Sequence, residues 1–569
     1  MGVDIQFLCM PFQSVSISPL SIALLSAVAK KHGATASEDY VHFKFAEMLG
    51  IDNYHRIALA DTRSGLLGEL LFAENYRGAI EEGALEPLLT EHFGDYEERS
   101  QKLLEFNDYC IAVIDKASPE IVGFTTSFNQ LLPSLWLTKE IKRVRPQTKV
   151  VFGGSGCSTP MGSYVKKAYP EVDYVVSGYG ENPLLDLLFN KHSLPADGIL
   201  NDEVGIDLNL LPFPDYDTYV AQLAKLSRPR NHNILTFESS RGCWWGEKSH
   251  CTFCGLNGTQ MKYGFKQSNR VLEEIRFLWD RYEYNLGAAD NIMSREHLRE
   301  LLPQLAQFDS KPVLFYEIKA NMRNEDVQLL KAANILHIQP GIESLSSELL
   351  ALMKKGVKAI QNIALLKWCR EEGIKVSWNL LFGIPGETTE NYLNQIETIR
   401  KIPHFNPPHG ISEIRLDRYS PYFKWYDSFG WTGIRPLENY YSLHRGCSDE
   451  LVRGMAYHFE GEGGPLAVKL YCGELQAAVD TWTKRFAAGD GLYWNDEIGL
   501  FEVENSEPAA YEKNPELETI LANTHSITSL NQLLSLPGVQ PGTVTEMIDK
   551  GILFQEGQQI INLAARVLL

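Results

Sequence analysis

The chain has 569 residues, which exceeds what one hydrophobic core accommodates, so about three or four domains are expected. Its formal net charge of −19 argues against a nucleic-acid-binding face and against attachment to an anionic membrane surface. No apolar run reaches the roughly 18–20 residues of a membrane helix, and the first residues lack the basic region of a signal peptide. The nine cysteines suit a reducing cytoplasm better than a disulfide framework.

Strands and helices alternate over residues 1–194, which we expect to form the first domain. Strands are predicted at Val3–Met10, Glu120–Ser127, Lys149–Phe152 and Val172–Val176, and helices at Leu20–His32, Leu132–Arg145, Met161–Tyr169 and Glu181–Asn190. Residues 34–118 have a helical, aromatic-rich pattern and are interpreted as an insertion. The alternation predicts an α/β fold with a doubly wound, Rossmann-like parallel sheet, which binds ligands at the carboxyl ends of its strands.

Glycines and hydroxyl residues follow three of these strands. The three segments are Thr125-Thr126-Ser127, Gly153-Gly154-Ser155-Gly156 and Ser177-Gly178-Tyr179-Gly180-Glu181. Paired glycines allow a flat ligand to approach the backbone, and hydroxyls and free amides suit a phosphate or an amide-rich tail. Each segment alone is also typical of a plain turn.

Residues 195–232 are interpreted as a linker, because Leu211–Asp217 is rich in proline and aromatic residues. About six strand–helix units follow in residues 233–425 and predict a partial (β/α)6 barrel. Active residues of such barrels lie at the carboxyl ends of the strands. Those ends hold Asp290, Asn291, Glu317, Gly341-Ile-Glu343-Ser344, Asn379 and Gly383-Ile-Pro-Gly386.

Three cysteines, Cys243, Cys251 and Cys254, lie on one loop after the first barrel strand. Thiolates suit iron–sulfur clusters, zinc and copper(I). Structural zinc normally takes four ligands, and His250 is adjacent to Cys251, so it would point elsewhere. A cluster held by three cysteines leaves one iron open to a substrate or cosubstrate. Three ordinary buried cysteines are the alternative.

The strings R-G-C-W-W-G-E-K and C-T-F-C-G-L-N-G around these cysteines resemble the cobalamin-binding radical S-adenosylmethionine (SAM) proteins of ribosomal peptide (RiPP, bacteriocin-type) maturation, radical SAM protein 1 family. Most of that superfamily has three residues between the first two cysteines, whereas this chain has seven. The resemblance implies a [4Fe–4S] cluster on Cys243, Cys251 and Cys254 as metal ligands. SAM would chelate the open iron.

The resemblance also assigns residues to the cofactors. Glu343 would accept hydrogen bonds from the SAM ribose hydroxyls, a role that suits a carboxylate. The remaining SAM residues would be Gly341, Ser344, Asn379, Gly383 and Phe253, of which Phe253 either stacks near the adenine or packs in the core. The cobalamin residues would be Thr125, Ser127, Gly153, Gly154, Gly178, Tyr179, Gly180 and Glu181. Asp290 and Glu317 remain candidates without an assigned role.

The loop after the first strand, Pro11–Pro19, departs from cobalamin domains that place D-x-H-x-x-G there, because it contains no histidine. The resemblance therefore implies base-off cobalamin without a histidine lower ligand.

Residues 426–569 form the last region. From about residue 490 two strands, three helices and a hairpin are predicted, which is typical of a winged-helix-like module. Its acidic balance does not favour DNA. By resemblance it would hold a leader peptide on a sheet edge, and a stabilising cap is the alternative.

The activity that the resemblance implies is C-methylation of an unactivated carbon in a ribosomally made peptide, by a methyltransferase of EC 2.1.1 type. A 5′-deoxyadenosyl radical would abstract hydrogen, and methylcobalamin would supply the methyl group. The partners would be a precursor peptide and an external electron donor of flavodoxin or ferredoxin type, in the cytoplasm, without nucleic acid or membrane. Alternatives are ring formation or oxidation on a peptide or small molecule, a cobalamin sensor or carrier, and a zinc-ribbon binding module.

Overall fold

The computed structural model of the protein describes residues 2–59, 66–77, 86–127, 129–226, 233–463 and 471–567. Within these ranges, no helix combines the length and the apolar character that crossing a membrane requires. Two α/β units and a C-terminal α+β region make up the described chain, which confirms the predicted fold class.

A parallel sheet of six strands forms the N-terminal unit, in the order β2-β1-β3-β4-β5-β6. The strands are β1 Ile5–Leu8, β2 Ala36–Asp39, β3 Ile121–Thr125, β4 Lys149–Gly153, β5 Tyr174–Gly178 and β6 Ile199–Asp202. The strand order reverses at β1, which pairs in parallel with both β2 and β3. A crevice at the carboxyl ends of the strands beside such a reversal is the usual ligand site of an open α/β sheet.

Ten helices accompany the described part of this unit. They are α1 Leu20–Lys31, α2 His42–Leu49, α3 Ile51–Leu59, α4 Leu67–Arg77, α5 Glu86–Phe93, α6 Tyr96–Ala117, α7 Leu131–Val144, α8 Met161–Ala168, α9 Glu181–Phe189 and α10 Asp217–Leu223. Helices α2–α6 lie within residues 34–118, the segment predicted to be a helical insertion. Aromatic rings attach the insertion to the sheet helices, since Phe106 of α6 stacks on Trp136 of α7 with centroids 5.9 Å apart.

Two predictions in this unit are wrong. Residues 36–39, placed in the helical insertion, form strand β2, and residues 199–202, placed in the linker, form strand β6. Both are four-residue edge strands whose polar residues obscure the apolar pattern of a strand. In β2 the buried Glu38 accepts from Lys30 Nζ at 2.8 Å and from Thr218 Oγ1 at 3.0 Å, so polar partners replace apolar contacts. The N-terminal sheet therefore extends beyond residue 194.

The second unit is an incomplete barrel. Its strands are β7 Ile234–Phe237, β8 Ser240–Arg241, β9 Gly264–Phe265, β10 Asn285–Ala288, β11 Leu314–Glu317, β12 Ile335–Gln339, β13 Lys375–Val376, β14 Leu380–Phe382 and β15 Ile411–Glu413. Parallel pairing runs in the order β13-β12-β11-β10-β7, and β14 pairs with β15. Because β13 and β14 are two pieces of one predicted strand, six parallel strand positions result, as the predicted (β/α)6 barrel requires.

Seven α-helices belong to the described barrel. They are α11 Trp244–Lys248, α12 Ser268–Tyr282, α13 Leu302–Ala306, α14 Asn324–Ala332, α15 Ser347–Leu352, α16 Ala359–Glu372 and α17 Thr389–Lys401. The antiparallel pair β8–β9 flanks the cysteine loop on either side.

The C-terminal region begins with a three-stranded sheet and ends in a winged-helix-like module. Its elements are β16 Leu416–Asp417, α18 Pro421–Lys424, β17 Trp431–Pro436, α19 Glu438–Leu443, α20 Asp449–Met455, β18 His458–Gly463, α21 Cys472–Ala488, β19 Gly491–Asn495, β20 Gly499–Glu504, β21 Glu507–Ala510, α22 Pro515–Asn523, β22 Thr528–Ser529, α23 Leu530–Leu534, α24 Pro541–Asp549, β23 Leu553–Glu556, β24 Gln559–Asn562 and β25 Ala565–Arg566. Helices α22–α24 and the β23–β24 hairpin enclose a separate apolar core and confirm the predicted winged helix. The fully buried Lys367 of α16 donates to Asn562 Oδ1 at 2.8 Å and attaches this module to the barrel.

Candidate functional site

The cysteine loop contains a short helix that accounts for its wide spacing. Cys243 caps α11, and its Sγ accepts a hydrogen bond from the Gly246 amide at 3.3 Å. Two indoles fix the helix to the barrel, because Trp244 Nε1 donates to the Met293 carbonyl and Trp245 Nε1 donates to the Lys354 carbonyl, both at 3.1 Å. The extra residues between the first two cysteines are therefore an ordered part of the site.

All three cysteines line one cavity of about 160 Å³ at the carboxyl ends of the barrel strands. The barrel contributes Glu317, Gly341 and Glu343 to the same cavity, and the loop contributes Phe253. The sequence predicts that the cysteines lie close to these strand ends, and they do.

The thiols suit a multi-iron cluster. Burial raises the pKa of the Cys254 thiol to about 12 and raises the pKa of Cys251 as well, so bound iron would have to stabilise the thiolates. Among the described residues, no three His, Cys, Asp or Glu side chains converge as ligands of a single metal ion. Cysteine thiolates are the usual protein ligands of iron–sulfur clusters, and all three line this one cavity. His250 Nε2 is hydrogen-bonded to the Cys254 carbonyl at 2.8 Å and lies beside the thiols without completing a ligand set.

Two lysines that the sequence analysis missed also line this cavity. Lys355 Nζ lies 3.0 Å from Glu343 Oε2, and Lys319 Nζ lies 3.6 Å from the centroid of the Trp245 ring. Burial, together with the positive charge of Lys355, lowers the pKa of Lys319 to about 8. Burial and neighbouring carboxylates raise the pKa of Glu317 to about 7. Lys319 lies two residues after Glu317, the last residue of β11, so its position at a strand end could have predicted a place in the site. Lys355 lies in a loop, where no such pattern exists.

Glu343 has an unusual backbone. Its φ is +55°, in the left-handed region that a non-glycine residue rarely adopts. Such strain is retained where the surrounding structure fixes a functional side chain. Here the fixed carboxylate faces the cysteine cavity and is paired with Lys355.

The other predicted SAM residues are not gathered in this cavity. Ser344 is fully buried, and its Oγ donates to Gln395 Oε1 at 2.7 Å. Asn379 is exposed, and neither Asn379 nor Gly383 lines the cavity. The SAM contacts assigned to these residues remain predictions.

Asp290, a candidate without an assigned role, is buried behind the loop. Its carboxylate accepts from the Ser239 amide and from Ser240 Oγ, each at 2.7 Å. Asp290 therefore supports the strand that leads into the cysteine loop.

A second site lies at the carboxyl ends of the N-terminal sheet and contains two adjacent cavities of about 360 Å³ each. The first is mostly apolar, and the predicted residues on it are Thr125, Gly153, Gly154, Gly178, Tyr179, Gly180 and Glu181. Ser127 lines the second cavity. All eight residues predicted to bind cobalamin thus lie on these two cavities.

Gly154 and Gly178 line both cavities and cannot carry a side chain. Their φ angles are +97° and +100°. A Cβ on Gly154 would lie 2.7 Å from the Thr126 carbonyl oxygen, and one on Gly178 would overlap the Asp202 carbonyl oxygen. A cradle of bare backbone next to an apolar cavity fits a ligand with a flat, apolar tail.

The second cavity meets the cysteine cavity at Leu256 and Asn257, which line both. Asn257 has φ +69°, and its Oδ1 accepts from Asn291 Nδ2 at 2.6 Å. The C-terminal region closes this cavity with His444, whose Nδ1 is bonded to the Tyr169 hydroxyl at 2.7 Å. The base-off state, inferred from the Pro11–Pro19 loop, remains a prediction.

Family models match both units. A model of the Radical SAM superfamily matches residues 237–399, and a model of the B12 binding domain matches residues 97–188.

Curated relatives are distant. The chain is 24% identical over 325 residues to an uncharacterized methyltransferase of Pyrococcus horikoshii, with 52% of this chain and 68% of that protein covered. The chain is 26% identical over 290 residues to a tRNA-2-methylthio-N(6)-dimethylallyladenosine synthase of Chromohalobacter salexigens, with 46% of this chain and 59% of that protein covered. The chain is 22% identical over 317 residues to an anaerobic magnesium-protoporphyrin IX monomethyl ester cyclase of Rubrivivax gelatinosus, with 52% of this chain and 56% of that protein covered. The chain spans less than two thirds of the last two relatives.

Solved structures share the fold. The radical SAM methyltransferase TsrM of Kitasatospora setae, with cobalamin and a [4Fe-4S] cluster bound, aligns at a TM-score of 0.53 and 17% identity, covering 91% of this chain and 95% of that one. The cobalamin-dependent S-adenosylmethionine radical enzyme OxsB, with aqua-cobalamin and S-adenosylmethionine bound, aligns at a TM-score of 0.50 and 14% identity. The alignment covers 75% of this chain and 55% of that one. The chain thus contains one segment that matches the radical SAM superfamily and one that matches the B12 binding domain, and it shares the fold of both solved structures.

Proposed function

We propose that the protein is a cobalamin-dependent radical SAM methyltransferase that C-methylates an unactivated carbon of a ribosomally made peptide. The observation that carries the proposal is that Leu256 and Asn257 line both the cysteine cavity and the second cavity of the N-terminal sheet. Bound cofactors would supply a 5′-deoxyadenosyl radical from one side and a methyl group from the other. A substrate carbon held beside Leu256 and Asn257 would lie between the two proposed cofactor sites.

In this proposal the residues of the chain bind and orient. Cys243, Cys251 and Cys254 hold the cluster, and the Glu343–Lys355 pair presents a fixed carboxylate to SAM. The bare backbone at Gly154 and Gly178 receives the cobalamin tail. Cys251 and Cys254 are only partly exposed, so their surroundings would limit the access of water to the reactive groups.

Support for methylation comes from the relatives, since one curated relative is named a methyltransferase and TsrM is described as one. A ribosomal peptide as substrate rests on the R-G-C-W-W-G-E-K resemblance and on the winged-helix-like module. In that module β23 is an edge strand of the β22-β24-β23 sheet, and such an edge can accept an extended peptide. A flavodoxin- or ferredoxin-type donor in the cytoplasm completes the proposal.

A non-methylating reaction is the second candidate. The Rubrivivax gelatinosus relative is named a cyclase, and the same cofactor pair in the same two cavities would also serve ring formation or oxidation.

The test uses anaerobically reconstituted protein with SAM and a low-potential reductant. We would measure extracted corrinoid, 5′-deoxyadenosine and S-adenosylhomocysteine for the wild type, for Cys251→Ala and for the control Cys472→Ala, whose thiol lies at the start of α21. Methylation predicts both SAM products in the wild type and the control, and loss of 5′-deoxyadenosine in Cys251→Ala. Deoxyadenosine without homocysteine product would favour the non-methylating reaction, and absence of bound corrinoid would overturn both.

A further inference from the structure

Four side chains form an ion-pair cluster on the apolar cavity of the N-terminal sheet. Tyr179, Glu181, Glu238 and Arg241, which we call the Arg241 clamp, all line that cavity. Tyr179 follows β5 and Glu181 begins α9, so both belong to the B12-binding unit, whereas Glu238 and Arg241 follow strand β7 of the barrel. The clamp therefore joins the two units on the wall of the cavity.

The geometry of the clamp is specific. Arg241 Nε donates to Glu238 Oε2 at 2.7 Å, and its Nη2 donates to Glu238 Oε1 at 2.8 Å and to Glu181 Oε1 at 2.6 Å. The guanidinium carbon lies 4.9 Å from the centroid of the Tyr179 ring. Only a planar guanidinium can bind one carboxylate through two nitrogens, bridge to a second and stack on an aromatic face.

Burial makes the link energetically significant. The side chains of Arg241, Glu181 and Glu238 are only 16%, 3% and 7% exposed. Without the guanidinium, two carboxylates from different units would face each other in a poorly hydrated space. Burial alone would raise the pKa of Glu238, but the charges of Arg241 and Lys266 hold it below its ordinary value. The clamp therefore keeps the two walls of the cavity together.

The clamp is also close to the cluster loop along the chain. Arg241 ends strand β8, Gly242 follows with φ +77°, and the next residue is Cys243. The residue that bridges to the B12-binding unit thus lies two positions before the first cluster cysteine.

We propose that Arg241 is a positioning residue that closes the apolar cavity over the nucleotide tail of cobalamin by tying Glu181 to Glu238. This inference rests on the cobalamin site of the proposed function, and it is independent of the reaction and of the peptide.

The test compares two corrinoids on the full chain carrying its cluster, under anaerobic conditions. Hydroxocobalamin carries the nucleotide tail, and diaquacobinamide lacks it. Glu181→Gln removes the charge that links the units and leaves the Arg241–Glu238 pair, while Arg241→Met removes the whole link. Arg281→Met is the control, because Arg281 pairs with Asp217 at an exposed position, where both side chains are about half exposed.

We expect the Kd of hydroxocobalamin to rise about tenfold or more in Glu181→Gln and Arg241→Met. The Kd of cobinamide should stay within about twofold in both variants, the iron content per chain should be unchanged, and Arg281→Met should match the wild type for both corrinoids. If Arg241→Met does not fold, the two corrinoid Kd values of Glu181→Gln are sufficient to test the inference.

Unchanged hydroxocobalamin affinity in the variants would overturn the inference. An equal loss of affinity for both corrinoids would also overturn it, because a general loosening of the fold weakens both alike. Wild-type protein that binds neither corrinoid would instead overturn the proposed cobalamin site itself, so the two failures are distinguishable.

Discussion

Replacing Lys355 by methionine tests how much the buried ion pair beside the cysteines contributes. The pair separates Nζ and Oε2 by 3.0 Å, with side chains 13% and 17% exposed. Removing one partner of a buried pair costs about 3–5 kcal/mol, because the other charge is left without compensation. Since both side chains keep some contact with solvent, we expect Lys355→Met to lower the free energy of unfolding by about 2–4 kcal/mol.

Differential scanning calorimetry of the iron-free full chain measures this loss. A change of 1 kcal/mol shifts the Tm of a domain of barrel size by about 2–4 °C, so the barrel transition should fall by about 4–16 °C. The exposed pair between Lys401 and Glu397, at 2.8 Å, provides the control, and Lys401→Met should cost less than about 1 kcal/mol.

The double variant Lys355→Met/Glu343→Gln completes a cycle. Because neither charge of this pair is left without its partner, we expect it to be more stable than Lys355→Met alone. The reasoning is refuted if Lys355→Met matches Lys401→Met, or if the double variant unfolds at a still lower temperature.

Three further predictions concern other parts of the molecule. Gly178→Ala should destabilise the protein by about 2–4 kcal/mol and weaken hydroxocobalamin binding, while Gly473→Ala, where a Cβ meets open space, should do neither in calorimetry and titration. Burial raises the pKa of Glu69 from 4.5 to about 7, so the folded state keeps a proton that the unfolded state loses. The unfolding free energy should therefore fall between pH 4.5 and 7, by up to about 3 kcal/mol; Glu69→Gln should flatten that slope in Tm measurements, and an unchanged slope would contradict the assignment. Lys367→Met should remove the donor to Asn562 Oδ1 and raise the hydrogen-exchange rate of the winged-helix module at least about fivefold, whereas unchanged exchange would show that the module does not depend on this hydrogen bond.

Local sequence features predicted which residues lie together at the strand ends. The three cysteines, Gly341 and Glu343 of the G-I-E-S string, and the glycines at the ends of β4 and β5 all lie on these cavities. Each depends on a strand end, and parallel strand ends meet at one edge of a sheet regardless of what else the chain does.

Features that depend on distant partners were not predicted. Strand β2 carries a buried Glu38, one of whose partners, Thr218, is 180 residues away in sequence. Lys355 is significant because it pairs with Glu343 and lines the cavity of the cysteines. No local sequence pattern predicts that a lysine in a loop is buried. The contact of Leu256 and Asn257 with both cavities likewise depends on how two separate units are packed.

Glu69 of the helical insertion has a consequence for engineering. Its two carboxylate oxygens accept from the amides of Leu131 and Leu132, at 2.7 and 2.5 Å, and Gln130 gives helix α7 no side-chain cap of its own. The first turn of a sheet helix thus takes its acceptors from a segment more than sixty residues upstream. A chimaera that exchanges the insertion must bring a carboxylate to the same point, or α7 begins with unsatisfied amides beside the second cavity.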